Sequence, residues 1–276
     1  MPDLPATDLP AACAAALLRG LLDDASLLGR RAVDAAAVTA HRSLREGVDA
    51  ALLGPLQLRV SQLGALLDVL DAAPSSTPLD VRLVADTGLV EAAEARAVLL
   101  DDDRVEIAGL VVALPDDGPL GESAALTLDS LDFALPSVVE VPDAPGWADA
   151  VAVIADDGAE RVGLRVGDRT AEMLHRAVGR GAVAALTSPL STAVHDSTGP
   201  GVLNVIAAVA EAVGGGDVSR VAAALSERDA DALLAIVASA DPRKVRGRLT
   251  AVATADPAAT LTGLRDLGLL EEDDTP

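Results

Sequence analysis

The stretch 137-SVVEVPDAPGWADAVAVIADDGAERVGLRVGDRTAEMLHRAVGRGAVAALTS-188 decides the fold. Three short runs in it, SVVEVP (137–142), RVGLRV (161–166) and AVAALTS (182–188), have strand character. Alanine-rich segments with helical spacing separate them, one around Trp147–Ile154 and one at TAEMLHRAVGRG (170–181). A strand that returns through a helix to the next strand pairs with it in parallel. Outward from this stretch the alternation continues. Towards the N-terminus lie RVEIAGLVVAL (104–114), VRLVAD (81–86) and GPLQLRV (54–60). Ser61 stands as candidate N-cap for the helix SQLGALLDVLDAA, and a weaker helical pattern covers 122–133. Towards the C-terminus, GRLTAVATAD (247–256) makes a seventh strand.

This order predicts an α/β protein, a (β/α) barrel-like parallel sheet over 51–270. Eight such units take about 250 residues. Seven strands are legible, one short of a complete barrel, so an incomplete or distorted barrel is the alternative. AACAAALLRGLLDD (11–24) and RRAVDAAAVTAHRSLREGVDAAL (30–52) read as helices, giving an N-terminal helical extension over 1–50. EEDDTP (271–276) reads as an acidic tail.

Composition narrows the function classes. The chain has 276 residues, 56 of them alanine and 23 glycine, and its aromatics are Phe133 and Trp147. Base-stacking platforms and aromatic cages are excluded. The formal charge is −22, from 43 acidic and 21 basic residues. Nucleic acid is a poor partner for such a surface, because binding it requires cations that neutralise phosphates. The single cysteine, Cys13, excludes an internal disulfide and multi-cysteine metal sites. The N-terminus has no basic region before its apolar run, and no apolar stretch nears the ~20 residues of a membrane span. A cytoplasmic location without membrane partners is expected, with no cofactor and no metal. Twenty arginines stand against one lysine, Lys244, a ratio that fits the codon bias of a high-GC genome.

Barrel active sites lie at the C-terminal ends of the strands. Asp86 ends its strand there, as a substrate contact or as a cap for the next helix. Glu140 shares a strand face with Val138, and an acid within an apolar run needs a partner if it faces inward. Arg165, on the neighbouring strand, can supply that partner, and its guanidinium fork suits a carboxylate or phosphate. The pair is equally well read as a structural tie between strands. The loop PLSTAVHDSTGPG (189–201) carries His195, a residue that moves protons near neutral pH. Gly199 and Gly201 then open a helix whose free amides suit an anion. The stretch reads equally well as a flexible surface loop. His41 and His175 read as helical packing or surface residues. The triplet Asp101–Asp103 reads as a solvated turn. No GxSxG elbow, HExxH, Walker or GxGxxG motif is present.

The stretches LLDDA (21–25), AHR (40–42), LLGPLQLRVSQL (52–63), VVEVP (138–142), GLRVG (163–167), GVLNV (201–205) and LRDLGLL (264–270) resemble a family of TIM-barrel-like proteins from high-GC bacteria with no assigned function. The resemblance implies a barrel, and it adds Asn204 to Glu140, Arg165 and His195 as candidate site residues. The departures matter more. The family pattern has a lysine where this chain has Gly163, a second lysine at Ala185 and a histidine pair at Ser191 and Thr192. It also has a proline-rich turn with an asparagine after LLDDA, where this chain reads SLLGRRAVD. Two functions follow. In one, the barrel binds a small anionic metabolite: Arg165, Gly199, Gly201, Asn204 and Asp86 bind it, and Glu140 and His195 supply whatever acid–base chemistry survives. In the other, it is a non-catalytic scaffold for a protein partner, derived from a barrel enzyme.

Overall fold

The computed structural model describes residues 11–30, 33–131, 135–158 and 160–270. The acidic tail 271–276 and the last residues of the helix expected over 122–133, Phe133 among them, lie outside these. The chain opens with helix α1 (Ala11–Leu18) and strand β1 (Leu22–Asp24), then α2 (Ala35–Glu46) and β2 (Leu53–Arg59). Next come α3 (Leu63–Ala72), β3 (Leu79–Val84), α4 (Leu89–Leu100), β4 (Val105–Ala113) and α5 (Leu120–Ser130). β5 (Ser137–Val141), α6 (Trp147–Asp157), β6 (Arg161–Leu164), α7 (Thr170–Gly179) and β7 (Ala184–Leu190) continue the alternation. Four helices, α8 (Val202–Val213), α9 (Val218–Ser226), α10 (Ala230–Ser239) and α11 (Pro242–Arg246), precede β8 (Leu249–Thr254), and α12 (Pro257–Asp266) follows it. The eight strands are all parallel and close in sequence order, with β8 pairing back onto β1.

The barrel is therefore complete, with one strand more than the sequence pattern reveals. The helix expected over 11–24 ends at Leu18. Gly20 breaks it, with a φ of 57° that an L-residue rarely adopts and an amide given to the Ala51 carbonyl. The chain turns there and Leu22–Asp24 enters the sheet, in register with Val252–Thr254 on one side and with Leu53 and Leu56 on the other. The described residues between 11 and 50 thus include, besides the helices expected there, the first strand of the barrel.

Two environments are built from alternate strand positions. Leu56, Leu58, Val81, Leu83, Leu110 and Val112 face outward and pack with Leu66, Leu70, Ala92, Ala95 and Leu99 of α3 and α4. Val139, Val141, Val162, Leu164 and Leu186 do the same beneath α6, α7 and α8. Each large aliphatic side chain fully buried in this layer contributes about 1.5–3 kcal/mol. The inward positions are smaller. Val111, Val138, Ala185 and Ala251 form a separate cluster with Val84. These residues come from five strands, some not neighbours, so they meet only across the lumen. On the β1–β3 side the lumen is polar, with Asp23, Gln57 and Arg82 in contact. Among the described residues no helix is long and apolar enough to cross a membrane.

Candidate functional site at the barrel mouth

β5 and β6 run in register with Glu140 opposite Gly163. Val138 faces the lumen, so Glu140, two positions on, faces it too, at the C-terminal end of the strand. Arg165 stands one residue beyond β6. The two side chains meet, with Arg165 Nη1 3.5 Å from Glu140 Oε1. That separation is an ion pair rather than a good hydrogen bond. The partners differ sharply in exposure: the Glu140 side chain is 13% exposed and that of Arg165 68%. Glu140 therefore anchors a guanidinium that remains largely in solvent. The loop carrying Arg165 is rigidly held. The Val166 amide donates to Ser188 Oγ at 2.8 Å, the Gly167 amide to Thr170 Oγ1 at 2.7 Å, and Thr170 Oγ1 donates back to the Arg165 carbonyl at 3.0 Å. Arg169 completes this rim through Asp143, at 3.2 Å.

Gly163 lies beside this pair and faces the same way. A Cβ added there would meet Glu140 Cα at 2.8 Å and Val138 Cγ1 at 2.9 Å. The strand spacing that seats Glu140 thus leaves no room for any side chain at 163.

His195, Gly201 and Asn204 form a second group. Asn204 is fully buried, and all its polar capacity is engaged inside the protein. Its Oδ1 accepts from the His195 amide at 2.7 Å and the Gly201 amide at 3.1 Å. Its Nδ2 donates to the carbonyls of Ala224 at 2.8 Å and Glu227 at 2.7 Å. Asn204 is thus a clasp between the 191–201 loop and α9, and the substrate contact expected of it has no free atom to make. The anion cradle expected at the start of α8 is closed for the same kind of reason. The Val202 and Leu203 amides donate to the carbonyls of Thr192 and Ala193, and Gly201 donates to Asn204. Gly201 is a glycine because the chain packs on itself, a Cβ there falling 2.4 Å from the Val194 nitrogen. The Thr198 hydroxyl and amide donate to the Asp196 carboxylate at 2.6 and 2.7 Å and hold it below the usual carboxylate range. Gly201 therefore offers no amide to a phosphate, and Gly199 stands beside a carboxylate that would repel one. His195 is part-buried, its Nδ1 without a partner among the described residues, and it shares no hydrogen bond or ion pair with Glu140 or Arg165.

Asp86 is in a third place. It does not cap the helix that follows it. Its carboxylate instead accepts from the amide and hydroxyl of Ser61, at 3.1 and 2.5 Å. Ser61 lies in a 3-10 turn (Val60–Gln62), and the helix proper starts at Leu63. Asp86 so ties the β2 and β3 ends together. The candidate site residues thus divide into three groups, and only Glu140 and Arg165 form a charged pair at the mouth.

The most deeply buried charges belong to no sequence motif. Asp23 is fully buried in the lumen. Its Oδ2 accepts from Gln57 Nε2 at 3.1 Å and from Arg82 Nη1, while Oδ1 has no partner. Burial pushes its carboxyl above the usual range, against the opposing pull of Arg82 and Gln57. Its neighbour Asp24 binds His41 Nδ1 at 2.9 Å, a contact between two buried side chains. The doubled acid in LLDDA was the available signal: two adjacent carboxylates between apolar residues. Among the described residues, no group of three His, Cys, Asp or Glu side chains converges as a metal site. Comparison of the chain with family models, with curated proteins and with solved structures found no match.

Proposed function

We propose that this barrel binds a small anionic molecule, a phosphate or carboxylate metabolite, at the C-terminal mouth, with Arg165 as its principal contact. The observation that carries this reading is the exposure of the Arg165 guanidinium beside a partner that only loosely engages it. Arg59 supports it. This residue ends β2, on the far side of the ring from β6, and has no ion-pair partner among the described residues. Two arginines facing one opening are unusual furniture for a chain of charge −22, and cations around a cleft concentrate anions there. Catalysis is not part of the proposal, because His195 does not join Glu140 and Arg165.

The test is a thermal-shift screen with phosphate, sugar phosphates and mono- and dicarboxylates, against sodium chloride at matched ionic strength. A ligand at 100 times its Kd adds about 2.7 kcal/mol, a rise of several degrees at roughly 2–4 °C per kcal/mol. The expected result is a shift that vanishes in Arg165→Ala. No shift beyond the salt control overturns the reading.

The second reading, a scaffold for a protein partner, draws on one observation. Val90, Val98 and Leu100 of α4 remain 70%, 48% and 60% exposed. A contiguous exposed apolar patch marks a contact surface, and these three side chains lie along one helix. Sedimentation velocity with wild type and Val90→Asp/Leu100→Asp would reveal such a contact as a loss of association.

A further inference from the structure

Between α2 and the start of α12, beside the C-terminal end of β1, lies a cavity of about 190 Å³. Its wall includes Asp24, Ser26, Arg30, Ala40, His41 and Asp256. It lies outside the ring of strands, where neither Glu140 nor Arg165 contributes.

The chemistry of its wall is specific. Asp24 accepts at both oxygens, from the Ser26 amide at 2.9 Å through Oδ1 and from His41 through Oδ2. An acceptor carboxylate fixes the proton of a neutral imidazole on Nδ1, leaving a lone pair on Nε2. His41 is 1% exposed, and its Nε2 is buried without a hydrogen-bond partner among the described residues. A buried polar atom left unpaired carries a desolvation cost that a suitable ligand would relieve. The wall offers both kinds of group: Nε2 and the carboxylate of Asp256 accept, the Ser26 hydroxyl acts either way, and the Arg30 guanidinium donates. A cavity of this mixed polarity, room for about six waters at ~30 Å³ each, suits a small molecule whose hydroxyls both donate and accept. A carboxylate or phosphate would find one cation, Arg30, already paired with Asp34 at 2.8 Å, against the carboxylates of Asp24 and Asp256.

We infer that this cavity is a ligand site for a small polyhydroxylated molecule of glycerol-to-pentose size, one hydroxyl of which donates to His41 Nε2. The site is independent of the mouth and of the anion proposed there.

The test is nitrogen-15 NMR of the histidine side chains in the full chain, titrated with ribose and with glycerol. His41 is assigned by loss of its signals in His41→Gln. The comparison variant is Ala40→Leu, which adds bulk at an exposed wall position and leaves the Asp24–His41 pair in place. The expected result has His41 carrying its proton on Nδ1 in the free protein. Its Nε2 resonance then moves saturably towards the protonated value with ribose, and does not in Ala40→Leu. Polyols stabilise proteins generally by exclusion from their surfaces, so a change linear in concentration and equal in both proteins overturns the inference. A His41 that carries its proton on Nε2, or on both nitrogens, overturns it too, since the site would then donate.

Discussion

Arg82 reaches past a whole strand to bind Asp23: the guanidinium on β3 and the carboxylate on β1 meet inside the lumen, and Gln57 on the intervening β2 bonds the same carboxylate oxygen. The other oxygen faces Gly54, where a Cβ would sit 2.2 Å away. A buried pair is dangerous to break from one side, because the remaining charge stays buried. Arg82→Met should therefore cost about 3–5 kcal/mol in urea unfolding. Adding Asp23→Leu to it should restore much of the loss. A single-mutant cost below about 1 kcal/mol would mean that water already reaches this pair.

The same carboxylate sets a pH dependence. Burial raises Asp23 in the folded chain above its ordinary value of 3.8, so the folded state holds this proton more tightly than the unfolded one. Its contribution is then full below 3.8 and lost as pH climbs through the raised folded value. The stability of wild type minus that of Asp23→Asn should fall with rising pH over that window. Denaturation midpoints measured at successive pH values would show it. A flat or rising difference would place Asp23 among the charge-stabilised acids instead.

Gly163 offers a steric prediction. The atoms a Cβ would strike include the backbone of Glu140, which cannot rotate away. Gly163→Ala should destabilise by about 1–3 kcal/mol through overpacking. It should also weaken anion binding at the mouth by displacing Glu140, and with it the anchor of Arg165. Unchanged stability would show that β5 and β6 separate more readily than their register suggests.

Asn204→Ala removes two acceptor bonds and two donor bonds at once. A loss of about 2–4 kcal/mol is expected, since buried polar groups left unpaired cost ~1–3 kcal/mol each and some would find water. Hydrogen exchange should rise at the amides of His195 and Gly201. Anion affinity measured through Arg165 should stay put, which separates the clasp from the site.

What the sequence disclosed follows from how much signal each element carries. β5, β6 and β7 were legible because alternating faces and flanking helices repeat over many residues. The meeting of Glu140 and Arg165 was legible for a related reason: neighbouring parallel strands bring their ends together. β1 was not, since three residues are too few to show a period, and Leu21 and Leu22 continue the apolar pattern of α1. Gly20 was the visible warning that the helix stops. The start of α8 had the composition of an anion cradle, but its amides are taken by carbonyls of its own loop, a fact of tertiary folding that local residues do not encode. The Asp24–His41 pair joins a strand and a helix 17 residues apart, a spacing that no helical or strand period marks.

The seam between β8 and β1 has a consequence for how the molecule comes to exist. Thr254 Oγ1 donates to the Asp23 carbonyl across 231 residues of chain. Every other neighbouring pair of strands is joined by one connecting segment and can assemble soon after it is made. This pair joins the first strand to the last, so the ring stays open, and Asp23 with it, for most of translation. A contact of such sequence separation is slow to form, because the entropy of closing the loop comes due before the contact repays it. During that interval β1 and β7 are bare edges, open to pairing with a second nascent chain.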